Sequence, residues 1–207
     1  MNAGSYGHLI VFEGPDGVGK TTISQASAQW LNAHGILTEL HSFPGQQLGT
    51  VGRLIYGIHH DPVGMGIDAI SPTAIQALHV AAHVDAIERL LLPALAAGAN
   101  VVLDRYWWST VAYGAVAGAS REVINGLIAA EVAAWRGIKP TLAVILERDL
   151  GRHDRDPTSD ELISVYEEIA HGVQSDYPVR HIPNNEQPSR TVKAVIDALH
   201  DIGAIRT

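Results

Sequence analysis

Cysteine is absent from this chain, which rules out a disulfide framework and any thiolate metal site. Long apolar runs are missing too. No stretch approaches the roughly 18 residues of a membrane span, and no basic flank followed by an apolar core opens the sequence as a leader would. Positive charge is scarce: 14 Lys and Arg stand against 22 Asp and Glu, a net charge of −8. That balance argues against a nucleic-acid face and requires any anion site to be a local gathering of arginines. Internal repeats, low-complexity blocks and linkers are also lacking. The expectation is a protein of a reducing, cytoplasmic setting, with no membrane and no nucleic-acid partner. With 207 residues, 46% of them hydrophobic, there is material for one sizeable core, so one domain over 1–207 is expected.

The most informative segment present is Gly14-Pro15-Asp16-Gly17-Val18-Gly19-Lys20-Thr21-Thr22, directly after the apolar run Leu9-Ile10-Val11-Phe12. A buried strand delivers a glycine loop, whose backbone can curl so that successive N–H groups point at phosphate oxygens. Lys20 adds a point charge toward the terminal phosphates, and the Thr21 hydroxyl can ligate Mg²⁺. The helix that starts there turns its positive end to the same anion. This is a nucleoside triphosphate site.

Periodicity then predicts strands at 8–13, 36–43, 101–104, 142–146 and 179–182. Helices are predicted at 21–33, 51–58, 71–97 with a bend near Pro93, 121–136, 159–174 and 190–201, and a loop or short helix at 107–117. Ser71-Pro72 supplies a cap and a first-turn proline. Such alternation reads as a three-layer α/β fold, a mainly parallel sheet with helices on both faces, whose ligands gather at the carboxyl ends of the strands.

Asp104, at the end of a buried strand, can hold Mg²⁺ together with Thr21, and Arg105 would lie where a transferred phosphoryl group carries its charge. The alternative for this pair is a surface salt bridge. Arg148, Arg152 and Arg155 form a third cluster, readable as a short lid at about 148–158 or as a solvated turn paired with the interleaved acids. Trp107 and Trp108 read chiefly as core, and His59-His60 as solvent-exposed.

Phe12-Glu13-Gly14, Asp16-Gly17, Gly19-Lys20-Thr21-Thr22, Asp104-Arg105-Tyr106, Ser109, Ala112-Tyr113 and Pro93-Ala94-Leu95-Ala96 together resemble the signatures of thymidylate kinases. The resemblance implies a P-loop NTPase fold, usually homodimeric, in which ATP and Mg²⁺ phosphorylate dTMP to dTDP. It implies that Lys20, Thr21 and the loop backbone hold ATP and that Asp16 meets the sugar 3′-hydroxyl of the acceptor. Phe43 and Pro44 would line the acceptor pocket, Arg105 would sit between the two phosphates, and Tyr113 would crowd the 2′ position. With Gly17 and Val18 in the loop, the chain resembles the branch that carries its catalytic arginines in the lid, here Arg152 and Arg155.

The chain also departs from that family. Where a phenylalanine stacks on thymine and an arginine bonds its carbonyl, counting back from Pro93 and Asp104 places His79 and His83. A one-residue slip would place Val80 and Val84 there instead. Ser42 stands where an arginine often grips the acceptor phosphate, and Arg53 is the candidate to reach in its stead. Two histidines at this spacing can bind a metal, although no third ligand is evident. Two other functions stay open on the residues alone. One is a kinase of a nucleoside or other small acceptor, with Asp104 or Glu13 taking the hydroxyl proton; the other is a nucleotide-binding switch with weak catalysis.

Overall fold

The computed structural model describes residues 6–149 and 159–206. Its strands are β1 (Leu9–Glu13), β2 (Thr38–Ser42), β3 (Asn100–Asp104), β4 (Leu142–Glu147) and β5 (Val179–Pro183). They form one sheet in the order β2-β3-β1-β4-β5, every pair parallel. A parallel sheet is covered on both faces, which is why β1, β3 and most of β4 are continuous apolar runs rather than alternating ones.

Alternate residues of the central strands feed two cores. Ile10, Phe12, Val102 and Val144 pack against α1 (Lys20–Ala33) and α8 (Pro188–Asp201). Leu9, Val11, Val101, Leu103 and Ile145 face the other layer. That layer comprises α3 (Pro72–Ala86), a π-type turn at Ile87–Leu91, α4 (Leu92–Ala96), α5 (Trp107–Val116) and α7 (Ser159–Val173). Each Val, Leu or Ile so covered contributes about 1.5–3 kcal/mol. Outside it, α6 (Arg121–Ala134) packs against α3 and α5, and α2 (Val51–His60) packs against α3.

Local chemistry explains the boundaries. The Ser71 hydroxyl accepts from Ala74 N at 3.1 Å and Pro72 occupies the first turn, so α3 starts where the cap was expected. The bend expected at Pro93 is realised just before it. Pro93 has no N–H to donate, and the chain opens into a π turn in which Leu92 N bonds back to Ile87 O. On α1, Ile23, Ala28 and Leu31 are buried in the core with Ser24 and Ser27, and Ala26 and Trp30 pack at its edge. No helix among the described residues is long and apolar enough to cross a membrane.

Candidate active site

The strand order places the loop after β1 at the centre of the sheet, between the ends of β3 and β4, where chain crossovers leave a crevice. Gly14 adopts φ 133°, and a Cβ there would meet Leu146 O at 2.6 Å, so only glycine lets the loop pass over β4. Gly19 (φ 95°) opens α1. A residue that sequence reading overlooked supports the loop from outside. Asn184, after β5, donates from Nδ2 to Val18 O at 2.8 Å and is itself held by the Thr191 hydroxyl at 2.8 Å.

Lys20 is buried, and its Nζ donates to Gly14 O at 2.7 Å and Pro15 O at 2.6 Å. Burial, then the positive charge of Arg105, pushes its ammonium down to about 8 against the pull of Asp16. An anion in the loop would offer that ammonium a stronger partner. The Thr21 hydroxyl donates to Asp104 Oδ2 at 2.6 Å, while Asp104 Oδ1 is buried without a hydrogen-bond partner. A hydroxyl beside an orphaned carboxylate oxygen is the donor set that fits Mg²⁺.

Arg105 leaves β3 with φ 74°, a left-handed backbone rare outside glycine. That turn is pinned by its own N–H to Phe12 O at 2.9 Å. It is pinned again by Glu13, which accepts from Tyr106 N at 2.7 Å, Ser109 N at 3.1 Å and the Ser109 hydroxyl at 2.7 Å. Glu13 is fully buried, and burial raises it from 4.5 to about 7 despite those donors. It is therefore a clamp for the Arg105 turn and is not free to take a proton from an acceptor hydroxyl. The turn aims Arg105 at Asp16, to which Nη2 donates, and lays the guanidinium 5.4 Å from the Tyr113 ring centre. Burial alone would raise the Asp16 carboxyl, but Arg105 and Lys20 outweigh it and hold the group below its ordinary range.

A cavity of about 400 Å³ opens in front of this pair. Asp16, Thr21, Asp104 and Arg105 form one end, and Phe43, Pro44, Tyr113, His79 and His83 line the remainder. Further lining residues include Tyr56, His59, His60 and Gln76. Gln76, His79 and His83 follow a helical spacing on one face of α3, a polar stripe in an otherwise apolar helix that could have identified Gln76. His59 and His60 were expected to be solvent-exposed. Both are exposed, yet His59 Nδ1 lies 2.7 Å from His79 Nε2 at the cavity wall, because α2 packs on α3. Burial, then the neighbouring His83 and His59, pushes His79 down to about 3, so its ring is neutral. Arg53, by contrast, is exposed on α2 and is not part of the cavity wall.

A second cavity of about 440 Å³ lies on the other side of the loop, lined by Pro15, Val18, Arg148, Tyr166 and Asn185. Arg152, Arg155 and all but the start of the expected lid lie outside the described residues. Trp108 is core, its Nε1 donating to the Tyr177 hydroxyl at 3.2 Å.

A family model described as thymidylate kinase matches residues 12–150. The chain is similar to the thymidylate kinase of Cutibacterium acnes, 35% identical over 147 residues, 69% of this chain and 67% of that protein. It is also similar to the thymidylate kinase of Synechococcus sp. (strain CC9311), 33% identical over 180 residues, 80% of this chain and 81% of that one. The solved structure of thymidylate kinase from Ehrlichia chaffeensis shares the fold, with a TM-score of 0.75 at 19% identity over 94% of this chain and 99% of that one. So does that of Candida albicans, with a TM-score of 0.74 at 19% identity over 98% and 96%.

Proposed function

The chain belongs to the thymidylate kinase family, and on that premise we propose that it transfers the γ-phosphoryl group of ATP to dTMP, giving dTDP. The observation that carries the reading is Arg105, turned by a left-handed backbone onto Asp16 between the phosphate loop and the 400 Å³ cavity. ATP extends its phosphates along Gly14–Thr22 with Lys20 at the terminal group, and dTMP enters from the cavity side. Asp16 receives the sugar hydroxyl, Arg105 holds the two phosphates in line, and Tyr113 closes the space beside the 2′ carbon. Thr21 and Asp104 would hold Mg²⁺, which supplies neutralisation of triphosphate charge. The protein's own part is alignment, positive charge around the transfer and exclusion of water. Arg152 and Arg155 complete that charge from the lid. A homodimer in the cytoplasm belongs to the same reading, supported by the family resemblance and the cysteine-free composition, and sedimentation tests the dimer.

The test of function is acceptor-dependent ADP formation across dTMP, dUMP, dCMP, dGMP, UMP and free nucleosides. The expected result is highest kcat/KM for dTMP. Turnover of thymidine without turnover of dTMP would overturn the assignment in favour of a nucleoside kinase, and ATP binding without acceptor-dependent turnover would leave only a switch.

A further inference from the structure

We propose that Tyr166, on α7, acts through the Ser109 hydroxyl to hold the Arg105 guanidinium in line for phosphoryl transfer, a positioning residue supplied from the wall of the other cavity. The proposal rests on the dTMP reading above and names what steadies its central arginine.

Ser109, on α5, stands where four pieces of the chain meet. Its Oγ donates to Glu13 Oε2, at the end of β1, at 2.7 Å and accepts from Arg105 Nη1, just past β3, at 3.3 Å. The Tyr166 hydroxyl lies 3.0 Å from the same oxygen. A serine hydroxyl has one hydrogen to give and two lone pairs to fill, and a guanidinium can only donate. With the serine hydrogen placed on Glu13, Tyr166 donates the third bond and the oxygen is saturated. Tyr166 suits that role. It is 1% exposed, and burial, then the negative charge of Glu13, raises its phenol well above its ordinary range, so the proton stays in place.

The second tether matters because of what the first one is. Arg105 Nη2 donates to Asp16, a side chain 70% exposed that, on the reading above, must also receive a sugar hydroxyl. On that contact alone the guanidinium would swing whenever Asp16 engages an acceptor. Nη1 on Ser109 adds a second point of attachment, and two points fix the plane of the group. Arg105 and Ser109 line the 400 Å³ cavity, whereas Tyr166 lines the 440 Å³ cavity across the loop. A chain of hydroxyls thus runs from the wall of one to the arginine of the other.

The experiment compares the full chain with Tyr166→Phe, Ser109→Ala and the double variant, in dTMP-dependent ADP formation and in heteronuclear NMR of the Arg105 guanidinium. Phenylalanine keeps the buried ring and removes only the hydroxyl. For Tyr166→Phe, kcat is expected to fall about 3- to 10-fold, as for one hydrogen bond, with KM for dTMP within about twofold. If Tyr166 acts through Ser109, the double variant turns over no more slowly than Ser109→Ala alone. Effects that multiply, or an unchanged kcat in a folded Tyr166→Phe chain, overturn the proposal; a merely structural tie between α5 and α7 would lower the denaturation midpoint and leave kcat as it was. Should the wild-type chain not turn over dTMP, the kinase reading fails separately and the spectrum decides the positioning. The wild-type protein should give two distinct Nη lines for Arg105 that broaden or merge in Tyr166→Phe, and identical spectra in both refute the link. If that variant does not fold, the wild-type lines decide alone: two support the proposal, and one averaged line, the mark of a freely turning guanidinium, overturns it.

Discussion

Replacing Glu13 by glutamine should make the protein's stability less dependent on pH. The carboxyl is completely enclosed, and burial raises it from 4.5 to about 7, with the donors from Ser109 and Tyr106 and the charges of Arg105 and Lys20 opposing. A native group with a raised value binds its proton more tightly than the unfolded chain does. Its stabilisation is therefore full below about pH 4.5 and is lost as pH climbs through about 7. At about 1.4 kcal/mol for each tenfold change in proton affinity, the loss is about 3 kcal/mol between about pH 4.5 and about pH 8. Glutamine keeps a carbonyl for Tyr106 N and Ser109 N but has no charge to desolvate. Urea melts of both proteins at the two pH values should thus show the variant gaining about 3 kcal/mol relative to wild type on going from acid to alkaline conditions. Other titrating groups cancel in that comparison. Parallel stability profiles would refute the claim that Glu13 is a desolvated clamp.

Three further outcomes are expected. Lys20→Ala should lower turnover by about a hundredfold or more in the ADP assay, because the loop loses its only ammonium, and unchanged turnover would remove Lys20 from the reaction. Tyr113→Ala should lower the ratio of dUMP to UMP turnover by about tenfold, whereas a constant ratio would show that the ring does not guard the 2′ position. Gly14→Ala should destabilise the fold by about 1–3 kcal/mol or more from backbone strain at φ 133° and collision with Leu146 O, and a wild-type denaturation midpoint would contradict it.

Much of the phosphate end was legible because its chemistry is local. A strand, a glycine loop and a lysine-threonine pair are consecutive, and Asp104-Arg105 ends the next apolar run of the same kind. The base end was legible only in part. His79 and His83 could be placed by counting, but nothing near Glu131 in sequence marks it as the buried neighbour of His83 rather than an ordinary surface acid. Its burial arises because α6 lies on α3, a contact between residues 48 positions apart. Asn184 was invisible for the same reason, since its role under the loop joins residues 166 positions apart. Arg53, expected to reach toward the acceptor phosphate, is exposed on α2 and does not line the cavity, a placement that depends on the packing of α2 rather than on any local sequence signal. The strand order was unreadable because parallel crossovers leave no pairing signal in the loops.

One consequence of the central position of β1 concerns motion. Ladders to β3 and β4 clamp this strand from both edges, so the loop it launches is a stationary anvil whose displacement would tear two seams at once. Adjustment to different acceptors must come instead from the outer pieces, α2 with its exposed histidines above all. Evolution can therefore retune which base is admitted by editing helix faces at the periphery, without touching the floor on which the phosphates lie.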